Sequence, residues 1–143
     1  MTTTSPADEW ALLQLAYRYA EAVDRRDADL LTSVFTADGT IERPGSVWQG
    51  HEKLRGIIAR LNTLYDTTFH TVRNQTVEVD GDTAVGETYC VAMHMLPPNG
   101  GPRKRMDMGI RYQDRFVRQN GTWFFTRRHL MVDWIENTDL PEA

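Results

Sequence analysis

The spacing of apolar positions changes about halfway along the chain of 143 residues. Up to about residue 65, apolar residues recur every three or four positions, which is the spacing of helices with one buried face. Beyond residue 70 they form long runs rich in β-branched and aromatic residues, separated by turn sequences. This order predicts three helices followed by a four-stranded meander, an α+β fold. The length is that of one domain, over residues 1–143.

The first helix is predicted over residues 7–23. Ser5 is its cap, Pro6 takes the first helical position, and Asp8 places a negative charge where the helix dipole favours it. Its apolar stripe ends at Asp24, so a carboxylate lies at the end of the buried face. Two more helices are predicted in DADLLTSVF, ended by TADGT, and in HEKLRGIIARLNTLY. The intervening TIERPGSVWQG is typical of a short strand pair.

The four long strands are predicted at about residues 71–79, 83–96, 104–118 and 122–134, and His70 directly precedes the first. A curved antiparallel sheet with three helices across its concave face forms a cone. The open end of such a cone is a natural pocket for a small molecule.

Composition excludes several classes of protein. The net charge is −4 and no basic stripe is present, which argues against a nucleic-acid partner. No apolar run approaches the roughly 20 residues of a membrane span, and MTTTSPADEW lacks the features of a secretory signal, so we expect a cytoplasmic protein without a membrane partner. The single cysteine, Cys90, excludes an internal disulfide. No metal-ligand spacing is recognisable, so we expect neither a metal nor another cofactor.

His70 and Asp24 have the chemistry of a proton-transfer pair. A neutral imidazole can remove a proton near neutral pH without a cofactor. A carboxylate that accepts the other ring N–H would fix the tautomer and stabilise the imidazolium. The alternatives are a structural histidine and a helix cap. If the two act together, they should lie within about 2.6–3.2 Å of each other.

A hydrogen-bond donor for a leaving group or a developing enolate would complete such a site. The candidates are Tyr19, Tyr89, His94 and Arg128. Strand alternation does not choose between Tyr89 and His94 if a bulge lies between them. Trp48 and Phe69 are candidates for contact with an apolar substrate, although a packed core would explain them equally well.

Three segments carry a family resemblance. YRYAEAVDRRDADLLTSVFTADGTI resembles the opening helices of the SnoaL-like branch of the nuclear transport factor 2-like superfamily. TFHTVRNQTVEVDGDTAVGETY is similar to its histidine, asparagine and Gly-Asp-x-Ala segment, and YQDRFVRQNGTWFFTRR to its closing strand pair. In dehydratase-like members of this branch, an Asp and a His at the positions of Asp24 and His70 form a catalytic pair. The resemblance also places Tyr19 at a polar cavity position, and Arg128 matches an arginine that follows the tryptophan of the last strand.

The branch contains scytalone dehydratase, a bile acid dehydratase, hexachlorocyclohexane dehydrochlorinase and polyketide cyclases. The resemblance therefore implies a cofactor-independent lyase of dehydratase type, acting on a small cyclic, terpenoid or polyketide-like substrate in an apolar cavity. The alternatives are an isomerase with the same pair, a non-catalytic domain that binds hydrophobic ligands, and an oxygenase accessory subunit. Apolar residues on both faces of the long strands also predict a homo-oligomer, either a trimer or a dimer, formed through the convex face of the sheet.

Overall fold

The computed structural model describes residues 3–141, which form three helices and six strands. The helices are α1 (Pro6–Asp24), α2 (Ala28–Ser33) and α3 (His51–Leu64). The strands are β1 (Phe35–Arg43), β2 (Ser46–Gln49), β3 (Thr67–Asp80), β4 (Thr83–Met95), β5 (Lys104–Gln119) and β6 (Thr122–Asp139). None of the helices within these residues is both long and apolar enough to cross a membrane.

The strands form one curled sheet in the order β2-β1-β6-β5-β4-β3. Neighbouring strands are antiparallel except β1 and β6, which run parallel. The sheet is open rather than closed, and the helices lie across its concave side. The predicted α+β cone is therefore confirmed.

Helix α1 begins where its sequence signals place it. The Ser5 hydroxyl accepts a hydrogen bond from the backbone N–H of Asp8 at 3.1 Å, a cap worth about 1 kcal/mol. The buried face of α1 includes Leu12, Leu15 and Tyr19. This face packs against β3 and β6, which brings the last residue of α1 close to the start of β3.

Three predicted boundaries are wrong. Phe35 belongs to β1 rather than to α2, and the turn-forming TADGT that follows it also lies in β1. The pairing of β1 with β6 shifts register between Phe35 and Thr40, so an irregularity in the strand accommodates these residues. His70 lies inside β3 rather than before it, because β3 already pairs with β4 at Thr67. Strand β6 likewise extends to Asp139, where it pairs with Lys104.

Candidate active site

A cavity of about 120 Å³ lies between α1, α3 and the concave side of the sheet. Most of its wall is apolar, and the polar groups that reach it are phenols, imidazoles and two arginines. The lining residues are Tyr19, Val23, Ile41, Arg43, Trp48, Ile57, Arg60, Leu61, Leu64, Tyr65, His70, His94, Met108, Ile110, Tyr112 and Leu130.

His70 and Asp24 meet beside this cavity. Nδ1 of His70 lies 2.7 Å from Oδ1 of Asp24, and Oδ2 of Asp24 accepts a hydrogen bond from the backbone N–H of His70 at 2.8 Å. The hydroxyl of Thr68 donates to Oδ1 at 3.0 Å. Strand alternation puts Thr68 and His70 on the same face of β3, so both reach the end of α1. The carboxylate thus receives three hydrogen bonds.

These contacts determine the protonation of the pair. Burial alone would raise the pKa of Asp24, but the hydrogen bonds and charge of His70, with the hydrogen bond from Thr68, hold that pKa below its ordinary value. An ionised Asp24 can only accept hydrogen bonds, so Nδ1 of His70 carries the proton of their shared bond. Nε2 of a neutral His70 then keeps its lone pair and can accept a proton.

Arg26 supports the hydrogen bonds between Thr68, Asp24 and His70. Its φ of 57° turns the chain after α1, and its guanidinium donates to the Val23 carbonyl at 2.6 Å and to the Thr68 hydroxyl at 2.7 Å. Because the Thr68 hydroxyl accepts from Arg26, its own hydrogen is directed to Asp24. Sequence reasoning missed both Arg26 and Thr68. The available signal was alternation in β3, which places Thr68 two positions from His70.

His94 is a second imidazole in the cavity wall. It is paired with Thr68 across the sheet, and its ring centroid lies 6.1 Å from that of His70. Nδ1 of His94 donates to the Met106 carbonyl at 3.1 Å, since a carbonyl can only accept. Burial lowers the pKa of His94 more than this hydrogen bond raises it. A neutral His94 therefore presents Nε2 as an acceptor rather than a donor.

Tyr19 and Tyr112 are two of the three tyrosines within residues 3–141 that line the cavity, together with Tyr65. The ring centroids of Tyr19 and Tyr112 lie 5.6 Å apart in an edge-to-face arrangement. Burial raises the pKa of both tyrosines, although the charge of Arg128 acts in the opposite direction, so both remain protonated. The Tyr112 hydroxyl is buried and forms no hydrogen bond of good geometry within residues 3–141. Tyr19 is its neighbour, and the interaction between the two hydroxyls acts to lower the pKa of Tyr19. Sequence reasoning did not identify Tyr112.

Arg128 lies behind these tyrosines and does not line the cavity. Its side chain is 1% exposed and donates to both oxygens of Asp114, at 2.7 Å and 3.1 Å. Its guanidinium carbon lies 3.8 Å from the ring centroid of Tyr112 and 4.4 Å from that of Tyr19. The structure therefore places this predicted substrate-binding residue in a supporting position, where its charge acts through the two phenols.

Of the other residues predicted to contact substrate, Trp48 lines the cavity, whereas Phe69 and Tyr89 lie on the outer face of the sheet. Trp48 lines the cavity together with Tyr19 and His94. Phe69 and Tyr89 do not reach it, and are 62% and 40% exposed on the outer face of the sheet. The reason is alternation, because their neighbours His70 and Cys90 point inward. Within the described part of the chain, no group of three or more His, Cys, Asp or Glu residues is placed to hold a metal ion.

A curled sheet over three helices, enclosing a cavity with a His–Asp pair, defines a nuclear transport factor 2-like α+β protein. The chain belongs to the family of the SnoaL-like domain, whose model matches residues 5–129.

The chain is also similar to solved structures and to a sequence relative. Hexachlorocyclohexane dehydrochlorinase LinA-type3 from Novosphingobium barchaimii is 18% identical, with a TM-score of 0.83 over 92% of this chain and 90% of that chain. A protein of unknown function from Mycobacterium tuberculosis is 27% identical, with a TM-score of 0.79 over 90% of this chain and 78% of that chain. An uncharacterized M. tuberculosis protein is 29% identical over 124 residues, which is 85% of this chain and 83% of that protein.

Proposed function

We propose that the protein is a cofactor-independent lyase of the dehydratase type. The observation that carries this proposal is the 2.7 Å contact between His70 and Asp24 at the wall of an apolar cavity. A binding domain would have no need to hold an imidazole in one tautomer against a half-buried carboxylate. The presence of a dehydrochlorinase among proteins of the same fold supports a lyase-type reaction.

In the proposed reaction, Nε2 of His70 removes a proton from a carbon next to an activating carbonyl or ring. The electrons of that C–H bond form the new double bond, and the bond to the leaving hydroxyl breaks. The imidazolium returns its proton to this hydroxyl, which departs as water, so His70 ends the cycle unchanged. Asp24 stabilises the imidazolium throughout.

Tyr19 and Tyr112 stabilise the oxygen on which negative charge develops. Both line the cavity, as Tyr65 does, and the Tyr112 hydroxyl forms no hydrogen bond of good geometry within residues 3–141. A preorganised donor in a site with little water stabilises a developing oxyanion strongly. Arg128 strengthens this effect from behind, because a positive charge stacked on both rings favours electron-rich phenol oxygens.

Cavity size limits the substrate. A volume of about 120 Å³ is close to the ~150 Å³ of an apolar cavity that holds benzene, so about one ring fits inside. We infer a small cyclic substrate. If the substrate is larger than one ring, the rest of it extends out of the cavity.

An isomerase is the second candidate function. The neutral imidazole of His94, 6.1 Å from His70 between ring centroids, offers a second proton acceptor on the same wall. Such an enzyme would return the proton to a different carbon of the substrate rather than to a leaving group.

The test uses a panel of cyclic β-hydroxy carbonyl compounds, with formation of the conjugated product followed by ultraviolet absorbance. His70→Ala should reduce turnover by at least the ~10²-fold of a lost general base, with an unchanged circular dichroism spectrum. The matched control is His51→Ala, since His51 contacts the Phe35 carbonyl and does not line the cavity. Full turnover in the His70 variant would end the proposal.

A further inference from the structure

Two arginines lie at the mouth of the cavity. Arg43 is the last residue of β1 and Arg60 lies in the second half of α3. Both line the cavity, and both side chains are exposed, which places them at its opening rather than in its interior. Apolar residues such as Val23, Ile41 and Ile57 line the same cavity and are buried or half-buried. The cavity is therefore apolar within and cationic at its entrance.

Neither arginine forms an ion pair with any carboxylate of residues 3–141. By contrast, Arg127 and Arg128 each contact a carboxylate. The guanidinium carbon of Arg43 lies 5.6 Å from the ring centroid of Trp48, which also lines the cavity. This stacking keeps the charge of Arg43 at the opening while leaving its N–H donors unused.

No Asp or Glu lines the cavity among the described residues. Asp24, beside the cavity, is occupied by His70 and Thr68. Glu42, next to Arg43, is paired with Arg127. The charge available to a bound molecule at the mouth is therefore positive, although the chain as a whole carries a net charge of −4. Guanidinium groups bind planar oxyanions through paired N–H donors.

We propose that this cavity selects an amphiphilic acid, in which a small ring occupies the interior and a carboxylate reaches Arg43 and Arg60. This inference rests on the proposed active site and adds the class of substrate to it. The ring places a reactive carbon beside His70, and the carboxylate fixes the orientation of the ring. Orientation from the mouth matters because the apolar wall itself offers little directional contact.

The test compares two probes that share ring, chain and size but differ in charge, namely hydrocinnamate and its amide. Isothermal titration calorimetry at low ionic strength measures both affinities. The carboxylate should bind about threefold to tenfold more tightly than the amide, as expected for one or two solvent-exposed ion pairs. Raising the salt concentration to about 0.5 M should remove most of this preference, because exposed charges are screened.

Variants test whether the arginines at the mouth cause the preference for the carboxylate. The double substitution Arg43→Gln with Arg60→Gln should equalise the two affinities by weakening only the binding of the carboxylate. The matched control is Arg115→Gln, which removes an exposed arginine of the outer face and should preserve the preference.

Equal binding of the two probes by the native protein would overturn the proposal, as would a preference that survives the double substitution. Binding of neither probe would also count against it, since the cavity would then not accept a ring with an anionic chain. These titrations need no turnover. A protein that prefers the carboxylate but lacks elimination activity would therefore refute the proposed reaction and leave this inference intact.

Discussion

Replacing Asp24 by asparagine keeps the shape of the side chain but exchanges one carboxylate oxygen for an NH₂ group. In the native site, Oδ1 accepts hydrogen bonds from Nδ1 of His70 and the hydroxyl of Thr68, and Oδ2 accepts one from the backbone N–H of His70. The single oxygen of asparagine can occupy only one of these two positions. In either orientation of the amide, at least one donor then faces another donor.

The two orientations have different consequences. With NH₂ in the position of Oδ2, the backbone N–H of His70 loses its partner, which costs about 1–3 kcal/mol. With NH₂ in the position of Oδ1, Nδ1 of His70 must accept, so the ring proton moves to Nε2. We expect the free energy of unfolding to fall by about 2 kcal/mol. If the ring adopts this second tautomer, turnover should fall by about 10²-fold to 10⁴-fold.

Nitrogen-15 NMR of the histidine side chains measures the tautomer without any substrate. In its neutral form, His70 of the native protein should show a protonated Nδ1 and an unprotonated Nε2. Urea denaturation gives the change in stability, and the dehydration assay gives turnover. Asp139→Asn is the control, because Asp139 is an exposed carboxylate paired with Lys104 away from the cavity. An Asp24→Asn variant with the native tautomer, stability and turnover would show that the carboxylate does not orient His70.

Three further predictions use the same contacts. Thr68→Val should lower turnover about tenfold, because Asp24 loses a charge-assisted hydrogen bond, and Thr68→Ser should restore it. Asp114→Asn should lower the free energy of unfolding in urea by about 3–5 kcal/mol, since Arg128 remains buried without its partner charge. The folded-state pKa of Asp24 lies below its reference value of 3.8, so its contribution to stability is present above about pH 4 and is lost as the pH falls through the folded pKa. Urea midpoints of native protein and Asp24→Asn should therefore converge in acid.

Local signals in the sequence identified Asp24 and His70 as candidates. The cap at Ser5 and the helical spacing that follows placed Asp24 at the end of α1, because both depend on residues only a few positions apart. His70 was recognised through its chemistry and through the family resemblance of the segment around it. The 2.7 Å contact itself depends on the packing of α1 against β3, and the sequence distance between the two residues contains no direct signal of it.

The positions of Arg128, Asp114 and Tyr112 depend on long-range strand pairing. Asp114 of β5 is paired with Arg128 of β6. The burial of this arginine therefore depends on the register of two strands, which the sequence alone does not reveal. The pairing of β5 with β6 also shifts between Gly109 and Ile110, which interrupts simple alternation just before Tyr112. Phe69 is different, since a strand begun at Thr67 would have placed it on the outer face by alternation alone.

The outer face of the sheet carries apolar side chains that the helices do not cover. Trp134 is 46% exposed there, and Tyr89 and Val85 are also exposed. A Cβ at position 109 would overlap the indole of Trp134, so glycine is required at Gly109 for this ring to lie on the sheet. An exposed tryptophan held in place before binding is typical of the residues that dominate protein–protein contacts.

We therefore expect the outer face to bury itself against identical chains in a closed dimer or trimer. Light scattering at micromolar concentration should give two or three times 16.4 kDa, and Trp134→Ala should shift the mass towards one chain. Trp10→Ala is the matched control, because Trp10 is an exposed tryptophan of α1 rather than of the sheet, and its loss should leave the mass unchanged. A native protein that stays monomeric at all concentrations would contradict this expectation. The apolar residues around Trp134 would then have to serve a ligand or a different protein, since exposed patches of this kind rarely lack a partner.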